Sequence, residues 1–178
     1  VYLSVVDGQG NVCSLISSLF HAFGSGKVCP RTGVTFQNRG AGFRVQPGHP
    51  NSVQPRKRPL HTIVPAMALQ GGSPALSFGV MGGPYQSAGV VHTLQNVVDF
   101  GMNVQEALDA PRGFRFTGAF EAERGISDAV LADLQARGHP VGRAQVPWGG
   151  GQMIAIDAKR PLISAGSDPR KDGVALAF

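Results

Sequence analysis

Three times along this chain a β-rich run, a short turn and a second β-rich run follow one another, and this constrains the fold more than any other feature. Val1 to Val6 alternates in polarity, Asp7-Gly8-Gln9-Gly10-Asn11 supplies turn residues, and Val12 to Ser17 resumes the strand pattern, which predicts a β-hairpin. His61 to Leu69 and Ala75 to Met81 flank a Gln70-Gly71-Gly72-Ser73-Pro74 turn and predict a second hairpin, ending in Gly82-Gly83-Pro84. Gln152 to Ile156 and Leu162 to Ala165, joined by Asp157 to Pro161, predict a third. Shorter β-like pieces lie around Val28 and Val34 to Phe36, and Val174 to Phe178 reads as a last strand.

Between the second and third hairpins the period changes. From Tyr85 to Phe100 the apolar residues Val90, Val91, Leu94, Val97 and Val98 share one helical face, and Gly101 is a natural stop. Asn103 and Glu106 stand at capping-box spacing before a short helix through Asp109. Ser127 is placed to cap a third helix with Val130, Leu131 and Leu134 inward and Gly138 at its end. Hairpins interrupted by a cluster of helices argue for an α+β fold with antiparallel sheet rather than a doubly wound parallel one.

Composition removes several classes. At 178 residues one domain is expected, residues 1–178. Twenty-five glycines and 13 prolines without a Gly-X-Y period exclude collagen and mean many tight turns. No apolar stretch approaches the ~18 residues of a spanning helix, so no membrane role is expected. The net charge of +5 is compatible with an anionic substrate. The basic cluster Arg56-Lys57-Arg58 sits between prolines without interleaved aromatics and reads as a solvated loop, not a nucleic-acid surface. Cys13 and Cys29 match no metal spacing and are expected as free thiols of a reducing compartment, the cytoplasm, with a single bridge or the periplasm as the alternative. The five histidines form no close pair, and neither a metal nor a cofactor is expected.

The usual chemical motifs are absent: no P-loop, no GxGxxG opening a helix, no GxSxG elbow. What remains is a strand, two glycines and a helix at Met81-Gly82-Gly83-Pro84. Adjacent glycines at a helix N-terminus can present backbone N–H groups to a developing oxyanion, and the same pattern also serves plain turn geometry. The N-terminus shows neither an initiator Met nor a signal region, and Val1 begins inside a strand. A processed subunit, or a fragment with sequence upstream of Val1, is the expectation.

Six motifs, in order and over essentially the whole chain, carry a family resemblance: SVVDGQGN (Ser4 to Asn11), FGSG (Phe23 to Gly26), KRP (Lys57 to Pro59), GVMGGP (Gly79 to Pro84), NVQEALDAPR (Asn103 to Arg112) and SDPR (Ser167 to Arg170). Together they resemble the small subunit of the gamma-glutamyltranspeptidase family of N-terminal-nucleophile hydrolases. The resemblance implies two antiparallel sheets between helix layers, an αββα sandwich completed by a large subunit from the same precursor. It implies a heterodimer or a dimer of heterodimers. It also implies a precursor that cuts itself, freeing a Thr directly before Val1 whose α-amino group serves as local base.

The resemblance places the hydroxyl supporting the nucleophile on Ser18 and the oxyanion glycines on Gly82 and Gly83. The residues implied for recognition depart from the family pattern. Arg39 and Gly42 stand where the family usually has Gln and Asp for the glutamyl α-amino group. Phe20 stands where an Asn is expected, and His61 and Thr62 where two serines usually receive the α-carboxylate. The lid loop is shortened to Pro47 to Arg56. A site that loses an acid and gains an Arg is suited to an anionic acyl group without an amine, because guanidinium binds carboxylate bidentately. The expected substrate is therefore a small anionic amide, with oxamate hydrolysed to oxalate and ammonia in purine catabolism as the leading case. A gamma-glutamyl hydrolase or transpeptidase, a cephalosporin-type acylase and an inactive binding relative are the alternatives. At residue level, Arg39 pairing with a large-subunit carboxylate and His61 as a buried hydrogen-bonder also stay open.

Overall fold

The computed structural model describes residues 1–178, and the chain divides into two compact units, Val1–Ile16 with Val64–Phe178, and Ser17–Ile63. The first unit holds β1 (Tyr2–Val6), β2 (Val12–Ile16), β3 (Ala66–Gln70), β4 (Ser73–Met81), α1 (Gln86–Val98), α2 (Val104–Asp109), β5 (Gly113–Phe114), β6 (Phe120–Ala122), α3 (Asp128–Ala136), β7 (Val141–Arg143), β8 (Gly150–Asp157) and β9 (Leu162–Ser167).

The opening hairpin forms as the sequence predicts, with Tyr2 opposite Ile16 and Val6 opposite Val12. Asp7 closes its turn: Oδ1 accepts from Gln9 N and Asn11 N, and Oδ2 from Asn11 Nδ2. The larger sheet runs β3-β4-β8-β9, every pair antiparallel. Its central strand β4 is buried on both faces, and the strand period of two separates what each face does. Leu76, Phe78 and Val80 point into a core shared with Val90, Val104, Leu108 and Met153, which α1 and α2 cover. Ser77 and Gly79 point the other way, onto the β1–β2 hairpin. There Ser4 Oγ donates to Ser77 Oγ at 2.5 Å, and the Tyr2 ring lies so close over Gly79 that a Cβ on that residue would come within 2.5 Å of it.

Hairpin, four-stranded sheet and helices are thus three successive layers. On the outer side of the hairpin Leu3, Val5 and Leu15 remain 44%, 49% and 45% exposed.

The predicted helices form, two of them with the predicted caps. Asn103 Oδ1 accepts from Gln105 N and Glu106 N while Glu106 Oε2 accepts from Asn103 N, a complete capping box for α2. Ser127 accepts from Val130 N at the start of α3.

Four details differ from the sequence reading. Of the predicted inward residues of α1, Val90, Leu94 and Val97 pack against the core while Val91 and Val98 are exposed, and Gln86, Gly89, Thr93 and Asn96 are buried with them. Its buried polar groups are tolerated because each has a backbone partner: Thr93 Oγ1 donates to Gly89 O, Asn96 Nδ2 to Ala107 O, and Gln86 Oε1 accepts from Val64 N. In α3 only Leu131 is buried and Val130 is exposed. Strand β3 starts at Ala66, directly after Pro65, which has no N–H for a ladder. Val174–Phe178 pairs with no strand. In addition β6 and β7 are parallel, inside a small sheet β5-β6-β7 of two- and three-residue strands.

The second unit is built from turns. It contains isolated bridges between Val28 and Thr35 and between Arg44 and Ser52, and a 3-10 turn over Arg39–Gly42. Arg56-Lys57-Arg58 lies in a loop where Lys57 Nζ donates to Pro50 O at 2.6 Å. Both cysteines are free.

Candidate active site

In the first unit the chemistry gathers at the end of β4. Antiparallel pairing with β8 stops at Met81 opposite Gly150. The chain then turns through Gly82, at φ 134°, and Gly83, at φ 59°, into a 3-10 turn over Gly83–Tyr85 that continues as α1. Both dihedrals lie where an L side chain is strained, so the sequence Gly-Gly is what allows strand to pass to helix within two residues. Neither the Gly82 nor the Gly83 N–H donates to a carbonyl in a turn, loop or cap, while Gly82 O accepts from Tyr85 N at 3.2 Å. The helix N-terminus behind them adds a positive field. Two adjacent N–H groups at such a point are suited to stabilise a negative oxygen.

Met81 and Val1 line one cavity of about 500 Å³, together with Ser4, Gln152, Lys171 and Asp172. The end of β4 and the start of β1 therefore open onto the same space. Tyr85, next after the turn, is buried against Phe114 and Trp148 at ring-centre distances of 5.3 and 5.9 Å. Burial pushes its hydroxyl up to about 12, so it stays protonated at neutral pH.

In the second unit the structure brings Arg39 and Thr62 together. Arg39 is only 6% exposed. Its Nη1 donates to Thr62 Oγ1 at 3.3 Å, its guanidinium lies 5.2 Å from the centre of the Phe20 ring, and its Nη2 is buried with no hydrogen-bond partner. A guanidinium held on an aromatic face with one nitrogen unsatisfied is a poised anion receptor. Ser18 is reached through the same aromatic residue, its Oγ accepting from Phe20 N at 3.0 Å. His61 is exposed, with Nδ1 accepting from Ile63 N. Gly42 ends the 3-10 turn that starts at Arg39, and its carbonyl accepts from Asn51 Nδ2 at 2.7 Å.

For Glu123, Trp148 and Gly149, packed behind the glycine turn, the sequence offered no local signal. Gly149 touches Gly82 backbone to backbone, and four charged side chains, Arg112, Glu123, Asp168 and Arg170, surround the Trp148–Gly151 segment. They come from three separate stretches of chain, and only Arg112, Asp168 and Arg170 fall inside the motifs noted above.

The hairpin, the four-stranded antiparallel sheet and the helices behind it give a mixed α+β fold that matches solved gamma-glutamyltranspeptidase structures, such as that of Pseudomonas nitroreducens, with a TM-score of 0.88 at 26% identity, covering 99% of this chain and 98% of that one. The gamma-glutamyltranspeptidase family profile matches residues 1–178, and the chain belongs to that family. It is 34% identical over 187 residues to the glutathione hydrolase-like YwrD proenzyme of Bacillus subtilis, covering 99% of this chain and 35% of that protein. It is 33% identical to the oxamate amidohydrolase proenzyme of Klebsiella pneumoniae, covering 100% and 35%. Among solved structures, the cephalosporin acylase of Bacillus halodurans superposes with a TM-score of 0.94 at 38% identity, covering 99% of this chain and 34% of that one. The chain thus spans about a third of the length of the two proenzymes.

Proposed function

We propose that this chain is the nucleophile-bearing part of an autoprocessed amidohydrolase that cleaves a small amide carrying a carboxylate near its carbonyl, with oxamate, giving oxalate and ammonia, as the best fit. The observation that carries the substrate class is Arg39: a buried guanidinium with an unpartnered Nη2, fastened to Thr62. Left without a partner such a group is costly, and a substrate carboxylate supplies the charge-assisted acceptor it lacks. Gly42 adds no acid to receive an amino group. An amine-free acyl group is therefore favoured over a γ-glutamyl one.

The reaction assigned to it needs no cofactor. The family pattern puts a Thr directly before Val1. Its hydroxyl oxygen attacks the amide carbon while its own α-amino group takes the proton, and Gly82 and Gly83 N–H receive the oxyanion. Collapse breaks the C–N bond, the same proton leaves with ammonia, and water hydrolyses the acyl ester to free acid and hydroxyl. Ser18 supports the nucleophile. His61 and Thr62 complete substrate recognition, with Thr62 orienting Arg39.

The outer face of the first hairpin, with Leu3, Val5 and Leu15 exposed, fits coverage by the remaining two thirds of the precursor, the large subunit. One assay tests the reading. The complete processed protein is offered oxamate, glutamine, glutathione and a glutaryl amide, and ammonia or amine release is measured. Preference for the amine-free carboxylates supports it, whereas preference for glutathione or glutamine overturns the substrate class while leaving the mechanism.

A further inference from the structure

We infer that Glu123, Arg112, Asp168 and Arg170 form a clamp that sets the Gly82–Gly83 turn by holding the Trp148–Gly151 segment against it, which makes these four positioning residues for catalysis. The inference rests on the reading of Gly82 and Gly83 as oxyanion donors.

The contact between the segment and the turn is backbone on backbone. A Cβ at Gly82 would lie 3.0 Å from Gly149 Cα and 3.4 Å from Gly149 N. A Cβ at Gly149, itself at φ 68°, would lie 2.5 Å from Met81 O, 2.8 Å from Tyr85 Cδ1 and 2.9 Å from Val80 Cγ1. Gly149 is therefore wedged among the residues on both sides of the turn, and a shift of Gly149 is transmitted to Gly82 without a flexible side chain to absorb it.

The segment carrying Gly149 is tied down at both ends by charged groups. Trp148 N donates to Glu123 Oε1 at 2.8 Å, and Trp148 O accepts from Arg112 Nη1 at 2.8 Å. Two residues beyond Gly149, Gly151 N donates to Asp168 Oδ2 at 2.9 Å. The ties are themselves cross-braced. Arg112 Nη2 binds the same Asp168 Oδ2 at 2.6 Å with both side chains fully buried. Arg170 forks onto Glu123, Nε to Oε1 at 2.9 Å and Nη2 to Oε2 at 2.6 Å, and its Nη1 reaches Asp168 Oδ1 at 3.2 Å. Arg112 N also donates to Glu123 Oε2 at 3.0 Å. The Glu123 carboxylate thus accepts from four donors, one of which belongs to the segment behind the turn. A hydrophobic core could support the fold equally well, but only directional bonds fix a backbone to the fraction of an ångström that oxyanion donors require.

The test uses the complete processed enzyme carrying Glu123→Gln, Gly149→Ala or Gly83→Ala. Turnover is followed as ammonia release from oxamate and p-nitroaniline release from glutaryl-p-nitroanilide, well below each variant's melting temperature. Glu123→Gln is informative because its amide NH2 faces donors where a carboxylate oxygen accepted. The expected result is a kcat lower by roughly 10- to 100-fold with KM unchanged within about twofold, and faster amide exchange in peptides spanning 80–85 and 147–151 than elsewhere. A lowered melting temperature with wild-type kcat in Glu123→Gln overturns the clamp, and so does a loss expressed in KM alone. If Gly83→Ala loses kcat and Glu123→Gln does not, the clamp fails and the oxyanion reading stands. If Gly83→Ala keeps wild-type kcat, the oxyanion reading itself fails. Should Gly149→Ala not fold, the turnover and exchange of Glu123→Gln decide.

Discussion

Arg112 and Asp168 meet at 2.6 Å with both side chains completely buried, 56 residues apart in sequence. Asp168 accepts from a second cation, Arg170, and from two backbone N–H groups, of Gly151 and of Arg170, so neither carboxylate oxygen is left unpaired. Burial alone would raise the Asp168 carboxyl, but Arg112 and these hydrogen bonds more than offset it and hold it below the usual carboxylate range.

Removing one partner of such a pair leaves the other charge stranded. Asp168→Ala is expected to destabilise the protein by about 3 to 5 kcal/mol. At roughly 2 to 4 °C per kcal/mol for a chain of this size, a melting curve drops by roughly 6 to 20 °C. A drop under about 2 °C would show that the pair is dispensable.

Acid sensitivity follows from the same residues. Burial raises Glu123 too, but Arg170 and the N–H groups of Trp148 and Arg112 more than offset it, and like Asp168 it lies below its ordinary value. A carboxyl lowered in the folded state contributes stability that is present in full above its unfolded value and is lost as pH falls through the folded one. Urea midpoints should therefore be flat from about pH 7 to 5 and fall below about pH 4. Glu123→Gln should flatten part of that fall, and an identical acid limb in wild type and variant would contradict this assignment.

Substrate recognition is tested at Arg39. A charge-assisted bond is worth about 1.5 to 3 kcal/mol, or roughly 10- to 150-fold in binding. Arg39→Lys keeps the charge but not the forked geometry, so kcat/KM for oxamate should fall by about tenfold or more. Wild-type kcat/KM in Arg39→Lys and Arg39→Ala would remove Arg39 from the site.

Ser18 Oγ accepts from Phe20 N in a local turn. Ser18→Ala is expected to fold normally and to process its precursor or turn over slowly, read as the appearance of cleaved subunits on a gel and as kcat. Unchanged rates for both would leave Ser18 a turn-forming residue only.

What the sequence determined is local. Alternation and turn chemistry placed the three hairpins, because the strand period and turn conformations of Asp7-Gly8 or Gly71-Gly72 are written in neighbouring residues. Side chains one turn away placed the caps at Asn103 and Ser127. The strand-Gly-Gly-helix signal marked Gly82 and Gly83 for the same reason. Tertiary contacts decided the rest. Val90, Leu94 and Val97 pack on the core as the apolar pattern placed them, but whether Val91 or Thr93 faces inward depends on what α1 lies against, and Thr93 and Asn96 take the inward positions because they satisfy their polar groups on backbone. A strand at Val174–Phe178 would need a partner to take its N–H and C=O groups, which propensity cannot supply. The two-residue β5 is too short to carry a period. Most plainly, Arg112, Glu123, Trp148, Gly149 and Asp168 are brought together only where the chain beyond α2, β6 and β9 meets the start of β8. Their hydrogen bonds depend on distances between segments far apart in the chain, a quantity that residue order does not contain.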